Sequence, residues 1–345
     1  MVTLQERKLY DVNAPNASTG IIEGESSNVL NWDDVRFSWA YPLYKNMLAN
    51  FWTPFEINMT SDVRQYETLA EHEREAYNKI IGLLAFLDSI QTDYSMHVAR
   101  YLTDSSLAAL MSVLSFQEVV HNQSYSYVLS SVTTKAKQDE IFEYWKHDPV
   151  LRERNDFIAE GYEKFVKNPT PQTFLESIVY DVILEGLNFY SGFAFFYNLA
   201  RNQKMVSTST MINYINRDEQ LHVFLFANIF KELMREYPEL DTDENHRFVQ
   251  ETFVRAAELE INWAHHIIGD RIEGIDMEDL EAYIKFMANK RVNELGVARP
   301  FEGYRQNPMR WIKVYEDVNS GKSDFFEQKP RQYTKVSDDN GFDEL

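Results

Sequence analysis

The sequence predicts an all-α protein, a bundle of long helices, on three observations. Apolar residues recur mostly at intervals of three and four through the middle of the chain, and no sustained apolar/polar alternation marks a sheet. No proline occurs between Pro54 and Pro149 or between Pro171 and Pro238, and the chain has only 12 glycines, so little interrupts a helix there. Hydrophobic residues make up 44% and aromatic residues 14% of the 345 positions, enough to furnish large apolar faces.

In order along the chain, residues 1–30 carry Asn, Ser and Gly without sustained periodicity and are expected to form a flexible N-terminal extension. The helical domain is expected over 31–318. It opens with a helix over 32–50, then one over 63–95 whose inner face reads Tyr77, Ile81, Leu84, Asp88. A helix over 99–130 presents Leu107, Met111, Leu114, Glu118, His121, Tyr125 and Val128 on one side. Shorter helices follow over 135–147 and 151–166. The helix over 172–200 shows Ile178, Val182, Glu185, Phe189, Phe193 and Phe196, and that over 206–236 shows Ile212, Ile215, Glu219, His222, Phe226 and Ile229. Helices over 243–270, 276–295 and 309–318 complete the domain, and the polar residues 319–345 read as a flexible tail. Several of these helices exceed 20 residues without strict heptads, which favours a bundle with inward-facing side chains over much of its length.

Charge and composition exclude several functions. The net charge of −20 would repel a phosphate backbone, so nucleic acid is not an expected partner. The start MVTLQERKLYDVN lacks a signal-peptide core, and no apolar run approaches the roughly 20 residues a membrane helix needs, so a cytoplasmic protein is expected. There is no cysteine, which removes disulfides, thiolate metal sites and cysteine nucleophiles. Any metal must be held by His, Asp and Glu.

Two apolar stripes are interrupted by the same spacing, Glu118-x-x-His121 and Glu219-x-x-His222. Residues three apart lie about one turn apart on one helix side, so both side chains can reach one ion or two adjacent ions. Burying an isolated carboxylate costs several kcal/mol unless a cation or strong hydrogen bonds compensate it. One such pair is a weak signal. Here each pair follows a helix with a lone inward acid, Asp88 before the first and Glu185 before the second. Four carboxylates and two imidazoles suit two iron or manganese ions better than structural zinc. Dimetal carboxylate bundles use this ligand set, with Glu where this chain has Asp88. Taken singly, Asp88 could equally bond a neighbouring backbone or Arg, and Asp181, one turn before Glu185, competes for the third-helix position. His265 and His266 form no such spacing and read as structural or surface residues; His72, His97, His147 and His246 read as solvated.

The segments FWTPFEI around Trp52, LAEHER at 69–74, FLDSIQ around Asp88, FQEVVHNQSY, EGLNFYSGFAF from Glu185 and INRDEQLH ending at His222 together resemble the radical-generating small (beta) subunit of class I ribonucleotide reductase. The similarity runs from about Trp52 to Phe230, with the tail. It implies a ferritin-like bundle with two iron or manganese ions per chain, held by Asp88, Glu118, His121, Glu185, Glu219 and His222. It implies that Tyr125 stores a radical inside an apolar cage corresponding to Phe189, Phe193 and Ile215. Trp52, linked through Asp218 to His121, belongs to the radical-transfer route. Tyr333, isolated in the tail before SDDNGFDEL with Phe342 and Leu345 as apolar anchors, would relay the radical while the tail docks on the large subunit. The resemblance further implies a homodimer and reduction of ribonucleotides to deoxyribonucleotides by the large subunit, which must supply the thiols this chain lacks. Two points stay open: iron versus manganese, toward which FYSGF leans slightly, and direct oxygen versus a flavoprotein activator. Two other readings also stand: a ferritin-like dimetal oxidase acting on a small ligand, and a metal-storage or structural helical protein. Neither would need Trp52, Tyr125 and Tyr333 together.

Overall fold

The computed structural model describes residues 3–316, which form helices and connections with no strand among them. The sites of Tyr333 and the tail anchors lie outside the described residues, as does the expected domain end at 318. After an irregular N-terminal segment comes α1 (Ala40–Ala49), followed by α2 (Thr60–Thr68), α3 (Glu71–Ala99), α4 (Ser105–Val132), α5 (Lys135–His147) and α6 (Pro149–Lys167). The chain continues through α7 (Pro171–Ile183), a π-helical segment Leu184–Asn188, α8 (Tyr190–Arg201), α9 (Val206–Glu236), α10 (Asp243–Ile267), α11 (Met277–Glu294) and the short α12 (Lys313–Glu316).

Helix α3 packs along α4, α7 and α8 pack on α9, and α4 meets α9, which makes a central bundle. Around it, α5 covers α3, α6 lies on α7, and α10 and α11 close the side of the π-helical segment. The apolar stripes meet in one continuous core.

Four boundaries differ clearly from the periodicity, two of them through a single capping carboxylate. The helix expected over 63–95 is two helices, because Ala70 is extended and the Glu73 carboxylate turns back to accept its N–H at 3.2 Å, starting α3 afresh. Helix α4 begins only after Asp104, whose carboxylate accepts from the amides of Ser106 and Leu107 at 2.9 and 3.0 Å. Residues 32–39 are not helical, and the helix expected over 172–200 is interrupted at Leu184–Asn188. The expected flexible extension is also corrected. Among its described residues it has no helix but is pinned to the bundle: Leu4, Ile21 and Ile22 are buried, and Leu4 and Arg7 donate to the carbonyls of Pro169 and Arg100 at 2.7 and 2.8 Å. Isolated apolar anchors carry no period, so the sequence pattern did not show them.

The start of α9 is held with particular care. Asp62 of α2 accepts from the amides of Ser207 and Thr208 at 3.1 and 2.7 Å, and Gln65 accepts from Met205 N–H at 2.7 Å. Two side chains of one helix thereby set the axial position of another, and with it the height of Glu219 and His222.

Candidate metal centre

Asp88 comes from α3, Glu118 and His121 from α4, Glu185 from the π-helical segment, and Glu219 and His222 from α9. All six are fully enclosed. They form two overlapping clusters, one of Asp88, Glu118, His121 and Glu219 and one of Glu118, Glu185, Glu219 and His222; within each, one ligating atom per residue lies within 4.8 Å of the others. Glu118 and Glu219 are common to both. Two carboxylates shared between two clusters, each with its own further acid and its own imidazole, is the arrangement two adjacent ions bridged by carboxylates require.

The imidazoles are oriented for this. His121 Nδ1 faces Glu219 at 3.2 Å, Glu118 at 3.6 Å and Asp88 at 3.8 Å, while its Nε2 lies 3.2 Å from Asp218 Oδ2. His222 Nδ1 faces Glu118 at 3.0 Å and Glu185 and Glu219 at 3.2 Å, while its Nε2 lies 3.0 Å from Gln117 Oε1. In each ring Nε2–H can donate outward, so that loss of the Nδ1 proton would turn a lone pair toward the acids, as a metal ligand requires.

The electrostatics call for a cation that the side chains do not supply. Both oxygens of Asp88 and Glu118, and Glu219 Oε1, are buried without a well-aligned hydrogen bond, with only the two imidazoles and the Tyr125 hydroxyl near enough to compensate them. Burial pushes the Asp88 and Glu219 carboxyls well above the usual range, and the neighbouring acids, Glu118 for Asp88 and Glu185 for Glu219, push them further. Burial would lower both histidines, but the surrounding carboxylates, led by Asp218 for His121 and by Glu185 for His222, raise them well above the ordinary imidazole value. Glu118 is disfavoured by burial yet held down to about 2 by His121 and His222. Four enclosed acids facing two imidazoles leave surplus negative charge, at a cost of several kcal/mol per uncompensated ion. Two divalent cations would balance four carboxylates and fill the orphaned oxygens. The donor set fits hard or borderline ions such as iron or manganese.

Around this cluster lie residues with no motif of their own. Asp218 Oδ2 also accepts from Trp52 Nε1 at 2.8 Å, so the buried indole and His121 share one oxygen. Gln91 donates to Glu185 Oε1 and to Asp181 Oδ1, the latter at 2.7 Å, and Tyr162 bonds Gln91 and Asp181 at 2.9 and 3.2 Å. Asp181 therefore stands outside both clusters, in a hydrogen-bond network beside Glu185. Gln117 and Gln91 were not anticipated; the available signal was their amide side chains within buried, otherwise apolar stretches, Gln91 one turn after Asp88. Tyr125 is buried one turn after His121, its hydroxyl beside Asp88 but in no well-aligned hydrogen bond, and burial followed by the charge of Asp88 raises its pKa far above that of free tyrosine. Phe189, Phe193 and Ile215 are all buried in the same core. His265 and His266 make surface pairs with Glu281 and Asp148, both at 2.7 Å. His97 departs from the solvated reading: it is half-buried against Tyr101 and Phe165, and burial lowers its pKa.

The family model of the ribonucleotide reductase small chain matches residues 29–308. The chain belongs to the ribonucleotide reductase small-chain family. It is similar to the ribonucleoside-diphosphate reductase subunit beta of Halalkalibacterium halodurans, 76% identical over 345 residues and 100% of both chains. It is 38% identical to the subunit beta of Treponema pallidum over 92% of this chain and 91% of that one. The solved R2 subunit of Clostridium botulinum ribonucleotide reductase superposes with a TM-score of 0.89 at 39% identity, covering 91% and 99% of the two chains. The ferritin-like fold, the small-subunit role in ribonucleoside-diphosphate reduction and the partnership with a large subunit and a second copy go with that membership. Among the described residues no helix is long and apolar enough to cross a membrane.

Proposed function

We propose that Asp88, Glu118, His121, Glu185, Glu219 and His222 hold two iron or manganese ions per chain, and that this chain uses them to create and keep a radical on Tyr125. The observation that carries the reading is the pair of clusters sharing Glu118 and Glu219, with their carboxylate oxygens buried and unpartnered. When bound, such a metal pair supplies the oxidising power, drawn from an oxygen species, that removes one electron from a nearby phenol.

The chain's own residues shape that step. Tyr125 is held as neutral phenol by burial, so it must give up electron and proton together; the Asp88 oxygens, which lack other partners, are the acceptors at hand. Phe189, Phe193 and Ile215, all buried in the same core as Tyr125, would form the apolar enclosure that keeps water and reductants from the phenoxyl that results. Asp218 Oδ2, bonded at once to His121 and Trp52, orients the imidazole and provides a proton-coupled exit toward the indole. Tyr333 would continue that route while the tail holds the large subunit, where nucleotide is reduced.

The test is to load the purified full chain with iron or manganese in the presence of oxygen, with and without a reduced flavoprotein activator. Electron paramagnetic resonance is then recorded for wild type and Tyr125→Phe. A tyrosyl signal in wild type and none in the variant is expected. No tyrosyl signal in wild type under any loading would overturn the reading, and would favour an oxidase or storage role for the same ligands.

A further inference from the structure

The π-helical segment Leu184–Asn188 lies inside a helix whose residues from Asp181 to Ala200 are all buried. A π-turn fits one extra residue into the helix and frees carbonyl oxygens from the regular ladder; such turns are rare and must be supported. Here the support comes from outside the ligand bundle. Arg291 of α11 donates from Nε to Gly186 O at 3.0 Å, and Arg154 of α6 donates from Nη2 to Asn188 O. Both guanidinium groups are buried. Arg154 is paired at 2.6 Å with Glu260 of α10, which also accepts from Ser191; Arg291 donates to Tyr190 at 2.6 Å and pairs with Glu294 at 2.9 Å. A Cβ at 186 would sit 2.7 Å from Arg291 Nε, so any side chain there must displace the Arg291 guanidinium.

Two buried cations are an expensive way to satisfy two carbonyls. Returning the segment to regular α-helix would rotate one half of the helix against the other by about 100°, one residue's worth of turn, and carry Glu185 away from His222. We propose that Arg154 and Arg291 are positioning residues that hold the π-turn in place, and so set how tightly the half-site of Glu185 and His222 binds its ion. The inference rests on the reading of Glu185 as a ligand. It places control of one metal position on α6, α10 and α11, helices that contribute no ligand. Ligand sites gain precision when an outer shell locks them, and an arginine fork suits a carbonyl hemmed in by packing.

The experiment uses the full chain and Mn(II) alone, following free Mn(II) by electron paramagnetic resonance during titration. Hydrogen exchange of the metal-free protein is measured in parallel over 183–190. The variants are Arg291→Met, Arg291→Lys, Gly186→Ala and the pair Arg154→Met/Glu260→Gln; Leu280→Ala, a buried position on the same helix as Arg291, controls for general loss of stability. Expected are two ions per wild-type chain. In Arg291→Met and Gly186→Ala one ion stays within about twofold of wild type, the other weakens tenfold or more, and exchange at 183–190 speeds up. Arg291→Lys should restore part of the loss, and it and Gly186→Ala carry the test if Arg291→Met fails to fold. Variants that weaken both ions in proportion, as Leu280→Ala would, or that bind both like wild type, overturn the proposal alone. A wild-type chain that binds no pair of ions overturns the metal reading and this inference with it.

Discussion

Trp52 and His121 are joined through a single atom: Asp218 Oδ2 lies 2.8 Å from the indole Nε1 and 3.2 Å from the imidazole Nε2. The same imidazole turns its Nδ1 toward the acid cluster, 3.2 Å from Glu219, so Asp218 links the imidazole that faces the acids to a buried tryptophan. Trp52→Phe keeps the ring and removes the donor. It should leave metal uptake and the Tyr125 radical near wild type while lowering turnover with the large subunit by about a hundredfold or more, the upper end of outer-shell effects. Spectra and a nucleotide-reduction assay on the same sample decide it; turnover close to wild type would remove Trp52 from the route.

Tyr125→Phe should abolish the radical without weakening the fold. Its hydroxyl is buried with Asp88 as its polar neighbour and no well-aligned hydrogen bond, so deleting it should change stability by no more than about 1 kcal/mol. Thermal unfolding of the metal-free proteins should show the variant about as stable as wild type. A clear loss of stability would mean the hydroxyl has a partner in solution.

Glu118 and Glu219 belong to both clusters, and Asp88 and Glu185 to one each. Glu219→Ala should therefore impair both ions, whereas Asp88→Ala should impair chiefly one, a difference visible in Mn(II) stoichiometry. Equal effects from all four alanine variants would argue against shared carboxylates.

The metal-free site makes stability depend on pH in a defined direction. His121 and His222 have folded pKa values raised above 6.5, so their contribution is fully present below that value and is lost as pH rises through the folded values. Asp88 and Glu219 are raised above 3.8 and 4.5, so their ionisation costs stability as pH rises beyond those values. Glu118, lowered to about 2, contributes above pH 4.5 and loses that only in acid, so it is constant across the neutral range. The metal-free chain should thus be less stable at pH 8.5 than at pH 6. Metal uptake must expel the bound protons and should tighten as pH rises. Calorimetric titration in buffers of different ionisation enthalpy measures the protons released; none released would contradict these protonation states.

Deleting the residues from Tyr333 onward should leave metal uptake and the radical unchanged and abolish turnover with the large subunit. Unchanged turnover would sink the docking role of the tail.

Much of the candidate site was legible because burial of a charge is conspicuous. Asp88, Glu118, Glu185 and Glu219 interrupt stripes of Leu, Ile, Val and Phe, and the helical period alone shows which side of each helix they occupy. Gln117 and Gln91 were not legible, since an amide bonded to a ligand's far side has no fixed spacing from it. The break at Leu69–Ala70 and the late start of α4 turn on single carboxylates capping amides, which period cannot resolve.

By itself the sequence determined the helical class, the two Glu-x-x-His helices and the absence of thiols. Local repetition and composition are enough for these, because each depends only on neighbours along one helix. Tertiary structure decided which carboxylates are shared between clusters, which nitrogen of each histidine faces the acids, that Asp181 stays out, and that Glu185 sits on a π-turn clamped by Arg154 and Arg291. Those depend on atoms brought together from helices far apart in the chain, as Arg291 Nε and Gly186 O are, 105 positions apart. Packing fixes such distances, and no period along one helix records them.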